Sequence, residues 1–349
     1  MAIQIKWRRD TAANWTLNNT LLAQGEPGFE TDTAKFKIGD GVNTWNSLVY
    51  ASDMSGAEQA LAILFTDVGG STPTAPASNK LKVYAAAIAG RMMLKHVDPN
   101  GQTSTLQPHF ARNKIGYWNP QGNSVTLPSV FGFTPYTTVG TTTAANVATT
   151  NLFARMRRVS FVTSTTAGSL ASFRVAAAQI QLGDGVGSNG FFKLIRFGCS
   201  DPATVTGARQ FCGVSANTSA PTNVEPSTLT NSIGIGHGAA DTTMHIYYGG
   251  SAAQTPIDLG VSFPVNTLST DVYELALFSP SDQFETIYYE VTRLNTGNVV
   301  TGVIAGDGAG ILLPTPYTLL SYSWNFRTNN ATALAVSIDI MSDYIETDN

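Results

Sequence analysis

Four histidines, His96, His109, His237 and His245, are the side chains best suited to proton transfer or metal ligation. A nucleophilic triad would need one of them beside an activated Ser or Cys, and no nucleophile-elbow motif accompanies any. His237 and His245 can approach across a hairpin, yet no Asp or Glu follows at ligand spacing. A glycosidase needs two carboxyl groups flanking the scissile bond. Asp184, Asp201, Asp241, Asp282, Glu285 and Glu290 are the pool, and most fall in turn sequences, where such residues cap their own backbone. Asp184-Gly185-Val186-Gly187-Ser188-Asn189 offers oxygen donors for Ca²⁺ but departs from the EF-hand order and lacks the closing glutamate. The Gly-Asp-Gly runs at 183 and 306 lack the lysine and helix of a phosphate loop. Cys199 and Cys212 show no metal spacing and read as free buried thiols. These residues therefore predict no enzymatic activity, no metal and no cofactor. What remains is recognition by surface. Sugar rings present apolar faces rimmed by hydroxyls, so aromatics beside amides on turns suit them. Trp118 and Asn119, in Trp118-Asn119-Pro120-Gln121-Gly122-Asn123, and Tyr247 and Tyr248, before Gly249-Gly250, are the candidates.

The background against which these residues stand is low in charge. Charged residues make up 13% of the 349 positions, about half the usual share, while hydrophobic residues reach an ordinary 43%. A net charge of −4 argues against electrostatic capture of nucleic acid or anionic membrane. The basic clusters Lys6-Trp7-Arg8-Arg9 and Arg155-Met156-Arg157-Arg158 are too short to change that. No apolar run approaches the roughly eighteen residues a membrane span needs. Met1 to Lys6 lacks the basic start and apolar core of a signal peptide, which predicts cytoplasmic synthesis.

The densest local information lies at 21–50. Phe29 and Thr31 alternate with Gly28 and Glu30, and after a turn at Asp32-Thr33-Ala34, Phe36 and Ile38 alternate with Lys35 and Lys37. This predicts a hairpin with an apolar face of Phe29, Phe36 and Ile38, covered by Trp45 and Leu48. Gly39-Asp40-Gly41 tolerates the positive φ of a tight turn. Upstream, Ile3 and Ile5 suggest a short strand, and Asp10 is placed to cap a helix through Asn18 that buries Trp15. About fifty residues without disulfide or metal is marginal alone, so docking or oligomerisation is expected.

Ile5, Arg8-Arg9, Thr11-Ala12-Ala13, Trp15, Leu22-Ala23, Gly25-Glu26, Gly28-Phe29-Glu30-Thr31-Asp32-Thr33, Lys35-Phe36-Lys37-Ile38-Gly39-Asp40-Gly41 and Trp45-Asn46-Ser47-Leu48 resemble the N-terminal domain of bacteriophage tail-fibre and receptor-binding proteins. The same module heads phage hyaluronidases and the major tropism determinant family. Asp10 and Ala34 depart from it, standing where glycine is common. The resemblance implies a trimeric module, residues 1–51, that docks onto the tail or baseplate of a virion. Trp7, Arg8, Arg9, Trp15, Phe29, Phe36, Ile38, Asp40 and Trp45 are its attachment residues.

Beyond it, Ser55-Gly56-Ala57-Glu58 fits a capping box before a helical face with Leu61 and Leu64. Leu81, Ala85, Ile88 and Met92 are spaced four, three, four, a coiled-coil seam over 79–93. Residues 52–95 are thus expected to be a linker and short helical neck joining a homotrimer. From 96 to 349, candidate strands at 114–118, 158–163, 173–177, 191–197, 209–214, 232–235, 244–248, 272–278, 286–294, 299–304, 317–325 and 334–340 follow one another with no helical crossover. That pattern predicts an antiparallel β-sandwich. It resembles the jelly-roll heads of phage fibres and, more distantly, legume-lectin sandwiches.

The fold expected is therefore mainly β: a small α+β module, a helical neck and a jelly-roll-like head. The function this implies is a virion tail fibre or receptor-binding protein whose head binds host polysaccharide or lipopolysaccharide. A virion-borne depolymerase, or a structural baseplate or decoration protein, is the alternative. A paired-carboxylate groove or a long β-helix would mark the depolymerase.

Overall fold

The computed structural model describes residues 7–52, 64–69, 71–101, 103–105, 114–120, 125, 127, 133–265 and 268–347. It forms two compact units, Met1–Phe65 and Thr66–Asn349. The strand expected at 3–6 and most of the helix expected after Ser55, Leu61 included, lie outside the described residues.

In the first unit, strands Arg8–Asp10, Pro27–Glu30, Phe36–Ile38 and Tyr50–Ser52 form one sheet in chain order, the first pair parallel. Helix Ala12–Asn18 is capped by Thr11, whose side chain accepts from the Asn14 amide, rather than by Asp10. Asp10 Oδ1 instead accepts from the Thr11 amide at 2.8 Å and from Asn14 Nδ2 at 2.7 Å.

The buried face of the hairpin is opposite to the one its apolar residues predict. Gly28, Glu30 and Lys37 point inward, while Phe29 and Phe36 are half-buried and Ile38 is exposed. Stacked Trp15 and Trp45, centroids 4.2 Å apart, decide this, because their rings lie flat where Gly28 has no side chain. A Cβ there would stand 2.6 Å from Trp45. The buried charges are tolerable because each has a partner. Lys37 lays its stem inward and donates from Nζ to the Trp45 carbonyl at 2.8 Å, while the Tyr50 hydroxyl donates to Glu30 at 2.7 Å.

In the second unit two antiparallel sheets face each other. The first runs Thr141–Ala145, Arg158–Val162, Ser337–Thr347, Phe191–Gly198, Tyr273–Ser279, Thr286–Arg293, Asn298–Ala305, and Lys114–Trp118 pairs with the end of Ser337–Thr347. The second runs Ile257–Asp258, His245–Gly249, Ser232–His237, Arg209–Ser215, Ser321–Thr328, Leu170–Val175, Tyr136–Val139. Their inner faces share one core, with Phe161, Ile195, Leu275 and Ile287 from one side meeting Phe173, Val214, Ile235 and Tyr322 from the other. Strand Thr286–Arg293 buries Ile287, Tyr289 and Val291 and turns Tyr288 and Glu290 outward, as its alternation requires. The β-sandwich read from the sequence is therefore the fold observed.

The helix expected at 79–93 is instead a β-hairpin, Lys82–Ile88 with Arg91–Val97. Its turn is Ala89-Gly90, both at positive φ, 48° and 73°. Two such residues in a two-residue loop match the right-handed twist of a hairpin. Of the expected seam, Ala85 is buried, Ile88 half-buried, and Leu81 and Met92 are exposed, so the four residues line no common helical face. Leu64 is 90% exposed and outside any helix.

Candidate functional site

The 82–97 hairpin packs its tip against the outer face of the first sheet. Ala89 and Met93 cluster with Phe192 and Ala276, and Phe278, Tyr288 and Tyr344 pack around them. Arg91 forks onto Glu346, Nη2 to Oε1 2.5 Å and Nη1 to Oε2 2.9 Å, and its guanidinium lies 4.9 Å from the Phe192 ring centre. Gly90 sits against Tyr288, where a Cβ would come within 2.7 Å of the ring.

Beside this contact lies a groove of about 650 Å³. Tyr84 and Lys95 line one wall, and Glu274, Tyr288, Glu290 and Thr301 the other. Glu274 and Glu290 stand on adjacent strands, Glu274 opposite Thr292 and Ala276 opposite Glu290, which makes the carboxylates diagonal neighbours on one face. Their environments differ. Glu274 forms an ion pair with Arg196. Burial raises the Glu290 carboxyl above its ordinary range; the Ala89 amide at 3.1 Å opposes that and the Glu274 charge adds to it. The Tyr84 hydroxyl, on a side chain 5% exposed, has no hydrogen-bond partner among the described residues. The groove thus joins aromatic surface and a carboxylate pair, with the unpartnered Tyr84 hydroxyl buried in one of its lining residues.

The aromatic platforms expected from sequence lie elsewhere. Trp118 is wholly buried in the sandwich core, which removes its face from any ligand. Tyr247 is 2% exposed, packs with Phe211, Trp324 and Phe326, and donates its hydroxyl to Asp241. Tyr248 packs half-buried on the core, and Asn119 is half-buried; the residues after Pro120, 121–124, lie outside the described ones. Glu290 was named among the carboxylates, whereas Glu274, Tyr84, Tyr288 and Lys95 were missed. The available signal was two acids facing outward on strands 272–278 and 286–294, but their adjacency depends on strand pairing.

Of the other chemical candidates, His109 lies outside the described residues, and Asp184, Asp201 and His237 are engaged in the fold. Asp184 Oδ1 accepts from the Val186 and Ser188 amides, at 3.1 and 3.0 Å, as an Asx turn does. Asp201 pairs with Arg327 at 2.5 Å, both side chains fully buried. His237 and His245 do reach neighbouring strands, since Gly236 pairs with His245. His237 is buried, and that burial lowers its pKa to about 3. Cys199 and Cys212 are both free and buried.

In the first unit, Trp7, Arg8 and Arg9 are exposed, whereas Trp15 and Trp45 form the small core. Arg8, Arg9, Asp10, Asn14 and Trp15 line a recess of about 360 Å³. Asp40 accepts from the Val42 and Asn43 amides at 2.9 and 2.7 Å, and these bonds, the Asn43 amide foremost, lower its carboxyl to about 2.

A hyaluronoglucosaminidase of Streptococcus pyogenes phage H4489A is 42% identical over 48 residues, which are 14% of this chain and 13% of that protein. Another, of Streptococcus pyogenes phage H10403, is 26% identical over 130 residues, 36% of this chain and 39% of that protein. The chain thus matches well under half the length of either relative. Both names are enzyme names, which overturns the exclusion of enzymatic activity drawn from the sequence. Among solved structures, peanut lectin with a 9mer peptide is similar over 67% of this chain and 97% of its own, with 14% identity and a TM-score of 0.43. Lectin II from Ulex europaeus is similar over the same shares, with 14% identity and a TM-score of 0.42. No helix among the described residues is long and apolar enough to cross a membrane. Residues 5–43 match the model of the major tropism determinant N-terminal domain, so the chain opens on the phage module that its N-terminal residues resemble.

Proposed function

We propose that the protein is a phage tail fibre or receptor-binding protein, a homotrimer in the virion, docked to the tail or baseplate through its N-terminal unit and binding a host-surface glycan through its sandwich. The observation that carries this reading is the match of residues 5–43 to the tropism determinant domain, in one chain with a separate sandwich that bears a groove. Exposed Trp7, Arg8 and Arg9 at the edge of the first sheet supply side chains for docking. Half-buried Phe29 and Phe36 with exposed Ile38 give the unit an apolar face to cover. Light scattering on the purified chain tests the assembly: a mass of three chains is expected, and a monomer overturns it.

A second reading, that the sandwich also cleaves its glycan, is favoured by the diagonal pair Glu274 and Glu290 beside the groove. Hydrolysis needs one carboxyl held protonated as general acid, and burial pushes Glu290 in that direction. Incubation with host capsule is the test. Release of reducing ends that stops in Glu290→Gln supports cleavage, and intact polysaccharide leaves binding as the function.

A further inference from the structure

We propose that the groove under the 82–97 hairpin is the glycan site and that its ligand is an uncharged oligosaccharide, gripped by the Tyr84 hydroxyl and the Glu274 and Glu290 carboxylates. This deepens, and rests on, the reading of the sandwich as the glycan-binding part. The groove's volume, about 650 Å³, falls within the range of about 300–1,000 Å³ typical of ligand sites. Its polar groups are of the kinds sugar hydroxyls pair with. The carboxylates are acceptors, Lys95 is a donor, and the Tyr84 hydroxyl can do either. A buried hydroxyl without a partner is costly to the protein alone, so a ligand hydroxyl that pairs with it gains more than the same bond made at a wet surface. Tyr288, on the wall opposite Tyr84, offers apolar ring surface to the sugar.

Charge sets the class of glycan. Glu274 is already paired with Arg196, and Glu290 stands against the ammonium of Lys95. The lining therefore offers a polyanionic chain no surplus cation and sets its carboxylates against that of Glu290, and like charges juxtaposed at an interface are strongly disfavoured. An uncharged chain meets the same carboxylates with hydroxyl donors.

The test is titration calorimetry of the full chain with maltohexaose, N-acetylchitohexaose, β-1,4-galactohexaose and hyaluronan hexasaccharide. At least one of the three uncharged probes is expected to bind, and hyaluronan hexasaccharide is not. Tyr84→Phe should weaken the uncharged probe about 5-fold, as loss of one neutral hydrogen bond does, and Glu290→Gln at least about 10-fold, as loss of a charged one does. Tyr84→Phe removes only an oxygen without a partner, and Gln keeps an acceptor for the Ala89 amide, so both variants should fold. Hyaluronan bound as tightly as the uncharged probes, no binding of any uncharged probe, or wild-type affinity in both variants each overturns the proposal. Labelled chain on host cells separates the two claims. If both variants still bind cells as wild type does, the glycan-binding reading stands and the groove assignment falls. If the wild-type chain binds no cells, that reading falls with it.

Discussion

The backbone amide of Ala89 donates to the Glu290 carboxylate at 3.1 Å, joining residues 201 apart in sequence. With Arg91 on Glu346, this bond holds the hairpin tip over the sheet face and so forms one end of the groove. Glu290→Ala removes the acceptor, and the Ala89 amide should lose hydrogen-exchange protection while strand Phe191–Gly198 keeps its own. Gly90→Ala should act in the same way from the other side, by placing a methyl 2.7 Å from the Tyr288 ring at a φ of 73°. Equal protection of the hairpin in wild type and both variants would contradict this anchoring.

Lys193 and Asp343 pair at 2.5 Å with both side chains fully shielded. Removing one partner strands the other's charge, so Lys193→Met should cost about 3–5 kcal/mol in urea unfolding. Lys193→Met with Asp343→Leu should recover part of that loss, because neither charge is then buried. A double variant no more stable than Lys193→Met would show that the pair is net stabilising beyond its desolvation.

Two buried groups give opposite pH dependences. Burial raises Asp339 from 3.8 to about 7, so the folded chain holds a proton the unfolded one releases, and stability falls as pH rises between those values. Burial lowers His237 from 6.5 to about 3, so there the unfolded chain binds the extra proton, and stability falls as pH drops through that window. The windows overlap from about 4 to 6.5, where the two slopes offset each other. Asp339→Asn should leave stability rising with pH across that range, and His237→Gln should leave it falling. Denaturant midpoints from pH 4 to 7 measure both slopes; unchanged slopes in the variants would contradict the assignment.

Ala34, where the N-terminal resemblance departs from glycine, sits exposed at a φ of 57°. A non-glycine residue in that region costs about 1–2 kcal/mol, and glycine's extra unfolded freedom returns about 0.5–1 of it. Ala34→Gly should therefore raise the thermal stability of the first unit by up to about 1 kcal/mol. A lower midpoint would mean the turn gains more from alanine than its backbone loses.

Strand content was legible because each strand states its own alternation: Ile287, Tyr289 and Val291 face inward as the sequence requires. The 82–97 hairpin was hidden by composition, since alanines at 85–87 with Ile88 and Met92 reproduce a helical spacing while Ala89-Gly90 closes a two-residue turn. In the N-terminal unit the apolar pattern pointed the wrong way, because two tryptophans supplied by distant segments need the flat surface of Gly28. Glu274 escaped notice for a related reason. Its nearness to Glu290 arises from pairing between strands, which no single stretch encodes.

The most direct test of the account is adsorption itself. Labelled chain is applied to host cells before and after mild periodate oxidation of surface glycans, and then as a competitor of intact phage. The account predicts that the chain binds, that oxidation abolishes binding, and that bound chain blocks phage adsorption. Binding untouched by oxidation, or adsorption undiminished by saturating chain, would contradict it.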